Sequence, residues 1–153
     1  MGEGKVLKKA IVALDGSEYS KYALEYVLDL LDKSKWKLIL LHVIPSLEEF
    51  GIESVAPPSL VVQLLEELKE NAKKIIEEGE AKAKEKGFEV EGLIKEGHVG
   101  KTIVQTAEEL DVDLIAMGTR GLSGIKALIL GSVARYVSNH AHCPVLVVRK
   151  KGE

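Results

Sequence analysis

Residues suited to holding an anion are concentrated between Gly118 and Val133 of this 153-residue chain. Gly118-Thr119-Arg120-Gly121 is followed, after nine residues, by Gly131-Ser132. Glycine has no Cβ, so Gly118 and Gly121 let a bound group come close to the backbone and meet its N–H donors. Gly131-Ser132 opens an expected helix, whose first N–H groups and dipole favour phosphate. The Ser132 hydroxyl adds a donor to phosphate or reaches a phosphate-bound metal, and Arg120 offsets phosphate charge. A plainer reading makes the glycines turn formers and Ser132 a helix cap. Two anion-suited elements flanking one loop favour the ligand. On that reading a side chain at Gly131 blocks phosphate and leaves the core in place, because the position reads as loop.

A second polar stretch is Asp15-Gly16-Ser17. Ser17 is a candidate cap for the helix after it. Asp15 has three readings: a hydrogen bond to a nucleoside, a metal ligand, or a helix cap. Its place at a strand's carboxyl end favours the ligand. Gly97-His98-Val99-Gly100-Lys101-Thr102 imitates a phosphate-binding loop, but has two residues between its glycines where that loop needs four. It reads as a strand-to-helix turn. His140, His142 and Cys143 lie close together without a second ligand pair at zinc spacing, so a helix end is the better reading. His42 reads as a hydrogen-bonded core histidine, and Tyr19, Tyr22 and Tyr26 as helix-face packing.

Alternating elements must position these groups. Ala10 to Leu14 is a continuous apolar run, the pattern of a strand buried on both faces. Tyr19, Tyr22, Ala23, Tyr26, Val27, Leu30 and Leu31 make a helical stripe. Trp36 to Ile44 is a second strand. Residues 45–59, with three prolines and Gly51, read as a mobile loop. Val61 to Ala83 carries a long amphipathic helix closed by Gly87, with its Lys/Glu side in solvent. Phe88 to Lys95 is a third strand, Ile103 to Leu110 a third helix, and Leu114 to Met117 a fourth strand. Ser132 to Ala141 is a fourth helix and Val145 to Val148 a fifth strand. This alternation predicts one doubly wound α/β domain over 1–153, with a five-stranded parallel sheet and helices on both faces. Ligands of such sheets bind beyond the carboxyl ends of the strands, where strand order reverses. Both polar stretches fall there.

Composition narrows the function. Hydrophobic residues make up 46%, charged residues 29%, and the net charge is -3 with both signs intermixed. No basic face for nucleic acid and no membrane-spanning run is expected. The first residues lack a secretory h-region, and Cys143 is the lone cysteine, so a cytoplasmic protein is expected. There are 18 Lys and 19 Glu against four Asn plus Gln, a thermophile-like bias that predicts high thermal stability.

The glycine pattern from Gly118 to Ser132 resembles the ATP-binding signature of the universal stress protein family. Ile11-Val12-Ala13-Leu14-Asp15-Gly16-Ser17, Leu40-Leu41-His42-Val43, Asp113 to Gly118, and Cys143 to Val148 are similar to strands of the same family. The resemblance implies strand order 3-2-1-4-5, adenine near Ala13, Asp15 and Val43, and ribose near Gly118. It implies a triphosphate over Gly121, Gly131, Ser132 and Val133, with Mg²⁺ or Mn²⁺ carried on the phosphates. Leu14, Met117 and Arg120 complete the candidate cofactor-binding set.

Three functions fit. The first is an ATP-binding stress-response protein working as a nucleotide-dependent switch. The second is a slow ATP hydrolase or phosphotransferase, weakened by the lack of a general base beside the glycine loop. The third is an interaction module with no nucleotide. Val145 to Val148 is an apolar strand at the sheet edge in the implied order, so pairing with a second copy into a homodimer is expected.

Overall fold

The computed structural model describes residues 6–51, 55–120 and 130–151. In chain order they form β1 (Lys8–Ala13), α1 (Glu18–Leu30), β2 (Trp36–Pro45), a short 3₁₀ helix (Leu47–Phe50), α2 (Pro58–Glu85), β3 (Glu89–Gly97), α3 (Val99–Glu109), β4 (Leu114–Gly118), α4 (Ser132–His140) and β5 (Val145–Val148). The five strands make one sheet in the order β3-β2-β1-β4-β5. Every neighbouring pair is parallel, with Ala13 beside Leu41, Val12 beside Ala116, and Gly118 beside Val148.

Alternation along the strands builds two cores, one on each face of the sheet. Ala10, Val12, Leu14, Leu38 and Leu40 pack with Leu24 and Val27 of α1 and Ile76 and Ala83 of α2. Ile11, Ile39, Leu41, Val43, Ile115 and Met117 pack with Ile103 and Ala107 of α3 and Ala134 and Val137 of α4. The chain leaves β1 toward β2, and later returns to β1's other side as β4. Strand order therefore reverses between β1 and β4, and the crevice at their carboxyl ends lies between the starts of α1 and α4.

Three local expectations change. The buried face of α1 is Ser20, Ala23, Leu24, Val27 and Leu28, whereas Tyr26 and Leu30 are exposed. Ser20 faces inward because its hydroxyl is bonded within the turn, while Tyr19 and Tyr22 are half-buried at the margin of the inner stripe. Residues 45–59 are not all loop: Leu47–Phe50 forms the 3₁₀ helix, and α2 begins at Pro58, where a proline's missing N–H costs nothing. Leu14 packs into the α1/α2 core, where a Cβ added to Gly79 of α2 would lie 2.8 Å from its Cδ1. Other expectations hold. Ser17 Oγ accepts from the Ser20 N–H and caps α1. Gly87, at φ 87°, ends α2 by donating to the Lys84 carbonyl. Among the described residues no helix is long and apolar enough to cross a membrane.

Candidate functional site

The β1–α1 turn is held by its own side chains. Asp15 Oδ1 accepts the Ser17 N–H at 2.9 Å, and the Asp15 N–H donates to Ser20 Oγ at 3.3 Å. Gly16 between them has φ 86°, which a side chain rarely tolerates. Asp15 is thus the turn former and Ser17 the helix cap. His42 ties β2 to the same turn: its Nδ1 lies 2.7 Å from the Leu14 carbonyl. A carbonyl only accepts, so Nδ1 carries the hydrogen. With the Leu14 N–H bonded to Leu41, both backbone groups of Leu14 are spent. Its side chain faces the far core, so Leu14 brings the crevice only its place in the chain.

Gly118 ends β4 against the first turn of α1. A Cβ there would stand 2.9 Å from the backbone carbon and oxygen of Tyr19, so a glycine is needed to let helix and strand meet. The Arg120 guanidinium carbon sits 4.4 Å from the Tyr19 ring centroid, a cation–π contact. Beyond it, the Gly131 N–H donates to the Thr119 carbonyl at 2.8 Å. This bond joins the two ends of the glycine loop. A Cβ on Gly131 would lie 3.1 Å from Arg120 Cα and 3.2 Å from the Thr119 oxygen. Gly131 is therefore buried and closely packed, not open loop, because its neighbour is backbone that cannot swing away. Gly121 lies outside the described residues.

Helix α4 has no side-chain cap and no acidic residue in its first turn. The N–H groups of Ser132, Val133 and Ala134 have no acceptor inside the helix. Ser132 is exposed and Val133 half-buried. The structure brings Ala13, Asp15, Gly118, Arg120, Gly131, Ser132 and Val133 to the carboxyl edge of the sheet at the reversal point. Val43 and Met117 belong to the α3/α4 core and are nearly buried. The sequence reading placed Tyr19 only in helix-face packing and Thr119 only within the glycine pattern, because the contacts each makes, through the Thr119 carbonyl and through the Tyr19 backbone and ring, depend on the fold. Chemically, an uncapped helix start beyond the carboxyl ends of the strands suits an anion.

The model of the universal stress protein family matches residues 7–149. The chain belongs to this family. Universal stress protein YxiE of Bacillus subtilis is 36% identical over 149 residues, covering 94% of this chain and all of that one. The solved structure of MJ0577, from Methanocaldococcus jannaschii, superposes with a TM-score of 0.82 at 34% identity, covering 95% of this chain and 98% of the other. An Arabidopsis thaliana universal stress protein solved with AMP bound gives a TM-score of 0.73 at 25% identity, covering 95% and 93%. The strand order of this universal stress protein, 3-2-1-4-5, is the one the family resemblance implies.

The remaining candidates resolve as structure. His98 is the cap of α3, its Nδ1 accepting the Lys101 N–H at 3.1 Å, so the imitation phosphate loop is a strand end and a capped helix start. His140 lies in the last turn of α4, where Nδ1 bonds the Tyr136 carbonyl. Among the described residues no group of three His, Cys, Asp or Glu could hold a metal ion. A Mg²⁺ or Mn²⁺ ion fits this donor set only as one carried by phosphates, with the exposed Ser132 hydroxyl as a protein oxygen for it.

Proposed function

We propose that this universal stress protein binds ATP at the carboxyl edge between β1 and β4 and acts as a nucleotide-dependent switch in stress response. The adenosine would lie along Ala13, Asp15, Val43 and Gly118. The phosphates would meet Arg120, Gly121 and the first N–H groups of α4. One observation carries the reading: the uncapped start of α4, joined through the Gly131–Thr119 bond to a loop bearing Arg120, stands at the point where strand order reverses. The AMP-bound Arabidopsis relative supports an adenine nucleotide. Occupancy of such a crevice would set the state of the pocket loops and so the surface offered to partners.

A second copy is the first such partner. The outer edge of β3 carries Glu89, Glu91, Lys95 and Glu96, which discourage pairing, whereas β5 offers Val145 to Val148 with no charge. Pairing of β5 with β5 across a two-fold axis would cover that edge. Denaturing the purified protein and weighing the released small molecule tests the ligand. ATP is the expected mass, AMP would revise the ligand, and no nucleotide together with no calorimetric ATP binding would overturn the reading. Rapid turnover of added ATP with Mg²⁺ would make the protein an enzyme instead.

A further inference from the structure

Helix α2, with 28 residues, spans about 42 Å, whereas the ten-residue strand β2 beneath it spans about 33 Å. The buried residues of α2 are Ala72, Ile76, Gly79 and Ala83, all in its second half. There two glycines bring helix and sheet together. A Cβ on Gly79 would lie 2.8 Å from Leu14 Cδ1, and one on Gly92 of β3 would overlap Ile76. Toward the carboxyl ends of β2 and β3 the two layers part. Leu60 and Val62 of α2 are exposed there, and Ile94 of β3 is 40% exposed. The gap is a cleft of about 280 Å³ lined by Ile44, Ile94, Lys69, Lys73, Lys95 and Glu96. Its floor is the paired end of β2 and β3, where His42 stands beside Ile94 and Ile44 beside Glu96.

The charges of this cleft do not balance. Lys95 is held by Glu109 of α3 at 3.3 Å. Lys69 and Lys73 have no carboxylate within 4 Å among the described residues. Like charges four residues apart weaken a helix, so helix stability does not account for the pair. Glu96 is the one carboxylate of the lining, which leaves two unpaired ammonium groups against it. Lysine stems also cover apolar surface, but Ile94 stays open beside them.

We propose that this cleft binds a small amphiphilic anion, a free alkyl carboxylate, with its chain along Ile44 and Ile94 and its head at Lys69 and Lys73. The apolar floor takes the chain out of water, which supplies the affinity. The ammonium groups at the rim favour a negative head and turn away a positive one. The volume lies near the small end of ligand sites, about 300 Å³, and so suits one short chain. The cleft stands at β2 and β3, away from the reversal between β1 and β4, so it does not depend on a nucleotide.

Amide shifts of the full chain, titrated with octanoate, hexanoate, 1-octanol and octylammonium, test the proposal. Octanoate at millimolar concentration is expected to move the Ile94, Lys69 and Lys73 amides, and octylammonium to leave them. Octanoate should bind about four- to fifteenfold tighter than hexanoate, for two more buried CH₂ groups. Lys69→Gln combined with Lys73→Gln should weaken octanoate by about three- to tenfold and keep 1-octanol within about twofold. Ile94→Ser should weaken both. No shift at these amides would overturn the proposal. Octylammonium binding as well as octanoate would leave only an apolar patch, and hexanoate binding as well as octanoate only surface charge; either overturns it. So would loss of octanoate on saturation with ATP, which would put the ligand in the nucleotide crevice. Octanoate without effect, where a Leu- and Glu-rich peptide shifts the same amides, would make the cleft a protein-docking face and overturn it too.

Discussion

The Gly131 N–H donates to the Thr119 carbonyl at 2.8 Å, so the two ends of the glycine loop are joined by one backbone bond. A side chain on the donor side would be crowded, because Arg120 Cα stands 3.1 Å from where a Cβ would be and would have to give way. The bond aligns the residue that follows β4 with the residue that precedes α4. Substitution of Gly131 should therefore act on the site through geometry before it acts through bulk in the crevice.

Gly131→Ala is expected to part the loop ends by a few tenths of an ångström. ATP affinity should fall at least about tenfold, with a stability loss of about 1–3 kcal/mol from overpacking. Calorimetry with a parallel urea melt checks both. Retained affinity with wild-type stability would show that the close approach to Arg120 is unimportant.

His42→Phe should leave the Leu14 carbonyl buried without its partner. A loss of about 1–3 kcal/mol is expected in urea unfolding. The turn at Asp15 should loosen as well, read as faster amide exchange of Ser17. A neutral effect would mean that the 2.7 Å bond holds nothing in place.

The outer edge of β5 can be tested with a proline. The Ile115 N–H donates to the Pro144 carbonyl, and bonding residues alternate along a parallel strand. Leu146 and Val148 thus turn their backbone groups toward β4, while Val145 and Val147 turn theirs outward. Val147→Pro deletes an outward donor and spares the inner ladder. Light scattering should show a dimer for wild type and a monomer for the variant. A wild-type monomer at micromolar concentration would remove the dimer.

Burial, and then the negative charge of Asp113 nearby, raises the Cys143 thiol above its ordinary value. The thiolate is the reactive form, so its share at neutral pH falls. Iodoacetamide should label Cys143 more slowly than an unfolded control at the same pH, with the rate still climbing past the ordinary thiol range. Asp113→Asn should speed labelling. Labelling as fast as in the control would contradict the raised value.

Much of this architecture is legible in the residues. The turn residues Ser17 and Gly87 and the apolar runs at Ile11, Leu40 and Ile115 carry local signals, and the structure keeps all of them. The orientation of Leu14 was not legible, because a strand buried on both faces shows no alternation by which to tell its sides apart. Nor was the inner face of α1, where Ser20 is buried by bonds to its own turn and Tyr26 is left outside. At the candidate site the glycines stand out, but their reasons do not. Gly118 answers to the Tyr19 backbone and Gly131 to Thr119 and Arg120, and both contacts join segments that only the fold brings together.

The central claim concerns where a nucleotide sits, and amide chemical shifts report on that directly. A ¹⁵N-labelled sample of this 16.7 kDa chain would be titrated with ATP and Mg²⁺. The largest shifts are predicted at the Gly118, Arg120, Ser132 and Val133 amides, with smaller ones at Asp15 and little change along α2. Saturating ATP that leaves Ser132 and Val133 unmoved, or moves residues of α2 and β3 instead, would contradict the account.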